Sequence, residues 1–326
     1  MFVLHNTHNI HWLWIGLILG FIAALWNGLG QHYGGLEATR QYIYENSDIK
    51  KMSPLFLQRL SSNRIFSSFV YPNAFAGAIL LLLTPCLTVS WLLLQKLKTM
   101  YRGVIVGSIA YIGLACLVWT GSKAGWLIAL GLLIILFAHL RLGKQVKIVT
   151  VLIIFSLGLA GFFLRYQGYF QKGATSVSAR FDYWRAALHT ANTHPWLGTG
   201  PGTFADSYKK IKSPESEMAR LVHNDFLEQA CDSGWIGFAF FLGFILSCHV
   251  FLYRKRNHWL GPVPFAVWLG LIGFTSQCLV EFGLYIPALA WIYFLLLGWM
   301  VTLSPETSTN KPSQFQIELF KPIKNV

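Results

Sequence analysis

The chain has 326 residues, of which 54% are hydrophobic and only 12% are charged, and its mean hydropathy is +0.49. Roughly a quarter of the residues in a soluble globular domain are charged, so this composition excludes an ordinary soluble domain and indicates a polytopic membrane protein. The net charge is +13. Most of the basic residues lie in the connections between apolar segments and in one long polar loop, so no nucleic-acid partner is expected.

Eight apolar segments approach the roughly 20 residues that a helix needs to cross the hydrocarbon core of a bilayer. They are residues 11–30, 72–94, 103–120, 124–140, 147–165, 231–252, 263–281 and 284–303. The sequence therefore predicts an all-α, polytopic membrane domain over residues 1–303, with about eight transmembrane helices. Residues 304–326 are polar and are predicted to form a disordered cytoplasmic tail.

The charges of the connecting loops predict how the spans are oriented. The loops after the second, fourth and sixth spans are short and basic, at residues 96–102, 141–147 and 254–256. Because loops rich in lysine and arginine remain in the cytoplasm, these loops and both termini are predicted to be cytoplasmic. The other loops then face outward: two long ones, 31–71 and 166–230, and two tight turns, 121–125 and 281–285.

The outward loop at residues 166–230 is the longest polar stretch and is rich in lysine, arginine and histidine. Residues 179–191 have the apolar spacing of a helix, and the glycines and prolines of residues 194–204 predict a sharp chain reversal. Residues 213–235 are predicted to form a second helix that enters the sixth span. A cation-rich loop of this kind suits chemistry on an anionic, lipid-linked substrate.

His223 is the candidate general base. Arg220 precedes it by three residues, so on the predicted helix both side chains would lie on one face. Histidine is the side chain whose unperturbed pKa lies nearest neutrality, which suits a group that accepts the proton of an attacking hydroxyl. The alternative is a histidine that only packs or caps a helix at the membrane interface.

Three further cations are candidate ligands of a diphosphate. Arg64 lies just before the second span, Lys123 lies in the turn at 121–125, and Arg180 begins the loop helix. Guanidinium groups bind phosphates through paired hydrogen bonds. Together with Arg220, these residues favour a diphosphate site on the outward side. The alternative is that each one anchors the protein to lipid headgroups.

The acidic residues are weaker candidates. Glu281 lies between the last two spans, and an acidic residue near the membrane interior is a functional candidate. Glu215 and Glu217 have the spacing of an acidic metal-binding pair, but the same spacing is common in solvated loops. Neither a metal ion nor another cofactor is therefore predicted.

Four stretches resemble the O-antigen ligase and polymerase superfamily. In chain order they are RIFSSFVYPNAFAG, TGSKAGW, SARFDYWRAALHTANTHPWLGTGPGTF and HNDFLEQACDSGWIGF, and together they span about residues 64–240. The resemblance implies that a glycan is transferred from an undecaprenyl-diphosphate carrier to a hydroxyl of a glycan or lipid acceptor. It also implies a multi-pass enzyme of the bacterial cytoplasmic (inner) membrane that acts on its outer side, without a metal ion and with inversion at the anomeric carbon.

The resemblance also implies roles for individual residues. The loop histidine of the family falls on His223 and its loop arginine on Arg180, while Arg64 matches an arginine that precedes a Pro-Asn motif. Lys123 stands where an arginine is commoner, and Arg220 is included because it lies next to the family histidine. Members usually have several more spans before the first stretch, whereas one is predicted here.

Two other functions remain open. A polymerase of the same superfamily would use a second lipid-linked chain as its acceptor. A small-anion transporter would need polar or broken helices near the middle of the bilayer, whereas the candidate cations here lie in outward loops.

Overall fold

A computed structural model describes residues 7–46, 57, 61–69, 71–140, 142–171, 175–213, 216–259 and 261–303. This part of the chain is helical and contains no β-strand. Its helices are α1 (Thr7–Gly30), α2 (Leu36–Asn46), α3 (Pro72–Leu93), α4 (Thr99–Trp119), α5 (Lys123–His139), α6 (Lys144–Gln171), α7 (Thr175–Thr193), α8 (Phe204–Ile211), α9 (Asp225–Lys255), α10 (Val263–Cys278) and α11 (Pro287–Thr302). A π-helical turn, Gln31–Gly35, joins α1 to α2, and 3-10 turns lie at Arg256–His258 and Gly283–Tyr285. The predicted tail, residues 304–326, lies outside the described residues.

Each predicted span falls on an apolar helix, which confirms the all-α, polytopic membrane fold. Within the described ranges, five helical segments are long and apolar enough to cross a membrane: Ile10–Asn46, Pro72–Leu93, Thr99–Trp119, Lys144–Gln171 and Asp225–Lys255. The other three apolar helices, α5, α10 and α11, have 17, 16 and 16 residues. A 16-residue helix is about 24 Å long, shorter than the roughly 30 Å hydrocarbon core, so the adjoining turns must complete these crossings.

The central pair of helices is α3 and α10. Phe75, Ile79 and Leu81 of α3 share one buried core with Leu271 and Phe274 of α10. Both helices are apolar on most sides, which is typical of helices surrounded by others in a bundle. Their packing brings the first turn of α3 to the last turn of α10.

The candidate site lies at this same end of the bundle. Gln277 Nε2, in the last turn of α10, donates to the carbonyl oxygen of Asn73 in the first turn of α3, at 3.2 Å. The segment before α3 contacts the end of α4 through Ile65 N and Trp119 O, 3.3 Å apart. The start of α9 contacts the turn before α11, because Asp225 Oδ2 accepts a hydrogen bond from Leu284 N at 2.9 Å. All the predicted outward loops that the structure describes therefore meet at one end, and which side of the membrane this end faces stays a prediction.

The long polar loop forms a small core of its own. The predicted helix at residues 179–191 is confirmed as part of α7. Residues of α7 and α8, together with Cys231 of α9 and the segment before α9, bury a cluster that includes Tyr183, Ala187, Phe204, Tyr208 and Val222. Because α6 extends to Gln171 and α9 begins at Asp225, the connection between these two helices is shorter than the predicted loop.

The predicted helix over residues 213–235 is wrong in its first half. The described residues 216–224 are not helical, and α9 begins at Asp225. The side chain of Asn224 accepts hydrogen bonds from Phe226 N and Leu227 N, both at 3.0 Å, which is the geometry of a helix N-cap. Arg220 and His223 therefore do not share a helical face.

The chain reversal predicted after α7 packs into a kink of α9. Gly198 and Gly234 both have φ of 67°, a left-handed conformation that favours glycine. A Cβ atom on Gly198 would lie 2.3 Å from Cys231 O, and one on Gly234 would lie 2.6 Å from Pro195 O. Trp235 N donates to Pro195 O at 2.8 Å. These close backbone contacts hold the loop against α9.

Candidate active site

Glu281 lies at the centre of a buried polar cluster at this end of the bundle. Its side chain is 7% exposed. One carboxylate oxygen, Oε1, accepts hydrogen bonds from Arg180 Nη2 and from Asn73 Nδ2, the latter at 2.5 Å. The other, Oε2, lies 3.1 Å from His223 Nδ1. A buried carboxylate is tolerated when it is paired and hydrogen-bonded, so this one carboxylate holds a cation and an imidazole side by side.

Arg180 is fixed in the second turn of α7 by three contacts. Its Nη1 donates to Ser176 O and its Nε to Val280 O, both at 3.0 Å, and its Nη2 binds Glu281. Among its contacts with described residues, these leave one N–H on each terminal nitrogen to bind an anion. The guanidinium is largely removed from solvent, which strengthens its interaction with a negative group.

Arg64 lies on the other side of Asn73. Its Nη2 donates to Asn73 Oδ1 and its Nε to Thr120 O, both at 2.6 Å. Burial lowers the pKa of Arg64, and the nearby Glu281 carboxylate opposes that effect. A guanidinium remains charged at neutral pH all the same. The Asn73 amide therefore connects the two arginines: it accepts a hydrogen bond from Arg64 and donates one to the Glu281 carboxylate, which also binds Arg180.

Lys123 adds a third cation at the same end of the bundle. It is the first residue of α5, just before the predicted span 124–140, with its Nζ 3.7 Å from the centre of the Tyr169 ring. Burial, reinforced by the positive charges of Arg64 and Arg180, lowers the pKa of Lys123 to about 8. Positive charges that lie close together repel one another, so an anion bound among them is stabilised.

His223 is presented on a strained backbone between two aromatic rings. Its φ of 55° is uncommon for a residue other than glycine. The imidazole stacks on Tyr183, with ring centres 5.8 Å apart, and meets the edge of Phe282 at 4.8 Å. It is 30% exposed. A carboxylate at Nδ1 favours the neutral tautomer with its proton there, so the lone pair of Nε2 is left to accept a proton.

Arg220 does not join this cluster. Its side chain is exposed, and it makes no hydrogen bond or ion pair with any residue that the structure describes. The predicted helical face shared by Arg220 and His223 does not form, because the described residues 216–224 are not helical, and the contact of Arg220 with a diphosphate stays a prediction. Of the acidic pair considered for a metal ion, Glu217 is exposed and Glu215 lies outside the described residues.

Two members of the cluster were underestimated or missed in the sequence. Glu281 was only a weaker candidate, and Asn73 was not a candidate. A signal for Asn73 was available, because it lies in the first family-like stretch and an amide can donate to a carboxylate while accepting from a guanidinium. The signal for Glu281 was its place as an acidic residue at the edge of an apolar span.

Comparison with known proteins agrees with the motifs. Residues 108–242 match a family model described as O-antigen ligase. An uncharacterized protein of Haemophilus influenzae (strain ATCC 51907 / DSM 11121 / KW20 / Rd) is 26% identical over 187 residues, which cover 49% of this chain and 46% of that protein. The match thus spans less than half the length of the curated relative. The family match includes α7, the chain reversal and His223, so this part of the chain is similar to the O-antigen ligase family.

Proposed function

We propose that this protein is a glycosyltransferase-type ligase. It moves a glycan from an undecaprenyl-diphosphate carrier to an acceptor hydroxyl, on a glycan or a lipid, at the outer side of the bacterial cytoplasmic membrane. The observation that carries the proposal is the carboxylate of Glu281, which binds Arg180 through one oxygen and His223 through the other. A phosphate-binding cation and a proton acceptor are thereby placed side by side, as the reaction requires.

The arginines bind the diphosphate and stabilise it as the leaving group. Negative charge develops on the diphosphate as its bond to the glycan breaks, and donors that are already in place stabilise that charge most effectively. Arg64 and Arg180 are held through Asn73 and Glu281, so little reorganisation is needed. Lys123 contributes a further positive charge. These cations supply the charge compensation that a metal ion gives in other diphosphate reactions, which supports a metal-independent transfer.

His223 acts as the general base. Its Nε2 accepts the proton of the acceptor hydroxyl while the oxygen bonds to the anomeric carbon. The bond from that carbon to the diphosphate oxygen breaks, and the diphosphate leaves with the electron pair. Glu281 then stabilises the imidazolium through Nδ1. Both oxygens of Glu281 have hydrogen-bond partners, so direct attack by the acceptor, with inversion, is favoured over a covalent intermediate on this carboxylate.

The lipid carrier and the membrane lipids surround this site, which lies at helix ends. A transport path would instead require its charged groups near the middle of the bundle.

A lipid-linked glycan polymerase would use the same base and the same cations, with a second lipid-linked chain as acceptor. The two activities differ in their acceptor and therefore in their product.

Mass analysis of the lipid-linked glycans in a deletion strain tests the proposal. Loss of a ligase leaves complete chains on undecaprenyl diphosphate, whereas loss of a polymerase leaves single repeat units. The wild-type gene should remove the accumulated species, and a gene carrying His223→Ala should not. An unchanged set of lipid-linked glycans in the deletion strain would contradict both activities.

A further inference from the structure

We infer that the exposed ring of Tyr71 is a stacking surface for the sugar attached to the donor diphosphate. The inference rests on the proposed function, because it assumes that the diphosphate binds at Arg64 and Arg180. It adds a subsite for the glycan itself, which neither the cations nor the base provides.

The backbone holds Tyr71 in a single position. Its φ of −117° and ψ of 130° are the extended values that a following proline imposes, and Pro72 is the first residue of α3. The Tyr71 carbonyl accepts hydrogen bonds from Ala74 N at 3.1 Å and Phe75 N at 3.2 Å, while Tyr71 N donates to Phe69 O at 2.7 Å. The side chain therefore projects from a rigid base rather than from a loop that can turn it away.

The ring of Tyr71 ends an aromatic row that begins beside the base. Tyr183 and Phe282 flank the imidazole of His223, and Phe282 meets the ring of Tyr71 edge-on, with centres 5.4 Å apart and planes at 89°. Tyr183 is buried, but Tyr71 is 43% exposed. Tyr71 is therefore the exposed end of this aromatic row, at the edge of the site.

The same turn of chain connects Tyr71 to the cations. Asn73, two residues further on, accepts from Arg64 and donates to Glu281. The first sugar of the donor is bonded to the diphosphate, and its anomeric carbon must come near His223 for the acceptor to attack it. That sugar accordingly lies between the cations and the base, within reach of Tyr71. The C–H groups of a pyranose carry partial positive charge, which the negative face of an aromatic ring attracts.

Membrane anchoring is the competing explanation, since tyrosine is common at membrane interfaces. Tyr42 on α2 offers a matched control. It is also an exposed tyrosine, and it makes no ring contact with any described residue. If both tyrosines only anchor the protein, replacing either one should have the same effect on donor affinity. If Tyr71 binds the sugar, only its replacement should weaken donor binding.

The test measures the affinity of two probes for the full-length protein in nanodiscs. One probe is the undecaprenyl-diphosphate glycan isolated from the bacterium that carries this gene, and the other is undecaprenyl diphosphate without sugar. We expect Tyr71→Leu and Tyr71→Gln to weaken binding of the glycan-bearing probe about five- to tenfold and to leave the sugar-free probe unchanged. Tyr71→Phe, Tyr71→Trp and Tyr42→Leu should stay within about threefold of wild type for both probes.

Two outcomes would overturn the inference: equal affinities of Tyr71→Leu and Tyr71→Phe for the glycan-bearing probe, or an equal loss of affinity for both probes. The use of two non-aromatic variants keeps the comparison valid if one of them folds poorly. Failure of the proposed function looks different. If the proposed function is wrong, Arg180→Ala will bind both probes as tightly as wild type. If only the role of Tyr71 is wrong, binding will depend on Arg180 but not on an aromatic ring at position 71.

Discussion

One oxygen of the Glu281 carboxylate lies 3.1 Å from Nδ1 of His223, although the two residues are 58 positions apart. The second oxygen binds Arg180. In the proposed reaction, protonation of His223 strengthens its pairing with Glu281, while the hydrogen bond from Arg180 holds the carboxylate in place. The proposed base and the proposed phosphate ligand are coupled through this single side chain.

Loss of the base should separate catalysis from binding. We expect His223→Ala to reduce turnover by about 10²- to 10⁴-fold, the usual effect of removing a general base, and to leave affinity for the lipid diphosphate close to that of wild type. Glu281→Gln should reduce both quantities, because it removes the ion pair with Arg180 and leaves one acceptor oxygen where Arg180, Asn73 and His223 now share two. Single-turnover rates and donor affinities measured on the same preparations check this. A His223→Ala enzyme with activity within about a factor of two of wild type would show that another group accepts the proton.

Much of the fold followed from local pattern, because an apolar run long enough to span a bilayer leaves little choice but helix. Arg180, Arg64 and Lys123 were predicted to lie at the same end of the bundle by counting spans, and the structure places them there. The Asn73–Glu281 contact joins residues 208 positions apart, and no periodicity encodes such a pairing.

Arg220 illustrates a prediction from local pattern that is wrong. Its predicted place on the same helical face as His223 depended on helical spacing, but the helix begins at the Asn224 cap. Asn immediately before two acidic residues in the first turn is a helix-start signal, and it should have outweighed the weaker periodicity of the preceding residues.

The orientation of the bundle can be tested by cysteine labelling. Lys209 is exposed on α8 and Lys96 is exposed after α3, at the two opposite ends of the bundle. We expect Lys209→Cys to react with a membrane-impermeant maleimide in spheroplasts and Lys96→Cys to react only after permeabilisation. The wild-type protein, whose five cysteines are buried or half-buried, supplies the background. The reverse pattern would place the candidate site in the cytoplasm and reject the proposed reaction.

The contact between the chain reversal and α9 should be sensitive to a single methyl group. We expect Gly234→Ala to lower the free energy of unfolding by about 1–3 kcal/mol or more, because alanine disfavours the left-handed conformation and its Cβ would meet Pro195 O. Gly243→Ala, in the same helix, has no atom within 4 Å of the added Cβ and should be neutral or slightly stabilising. Thermal unfolding in detergent compares the two. Equal melting temperatures would mean that the reversal is not packed against α9 as described.

The lowered pKa of Lys123 predicts a pH dependence of donor binding. With a pKa of about 8, Lys123 is charged at neutral pH and loses its charge as the pH rises through that value. Affinity for the diphosphate should therefore fall by about threefold between roughly pH 7 and pH 9 in the wild-type protein. Lys123→Arg should keep its affinity over that range, since a guanidinium stays charged. Binding is the appropriate measurement because it does not require His223 to act. A wild-type affinity that is constant over this range would remove Lys123 from the diphosphate site.

Replacing arginine by lysine decides whether Arg180 and Arg64 bind a diphosphate or only anchor the protein to lipid. Anchoring needs only a positive charge, which lysine preserves, whereas paired hydrogen bonds to phosphate need the planar guanidinium. We expect Arg180→Lys and Arg64→Lys to weaken donor binding by about ten- to a hundredfold, because each loses a charge-assisted hydrogen bond worth roughly 1.5–3 kcal/mol. Arg185 is the matched control: it lies on the same helix, its side chain is 82% exposed, and Arg185→Lys should be silent. A glycan-lipid analogue without phosphates should bind the wild-type and lysine proteins equally poorly. If both lysine variants bind the diphosphate donor as tightly as Arg185→Lys does, the two arginines are membrane anchors and the proposed site is wrong.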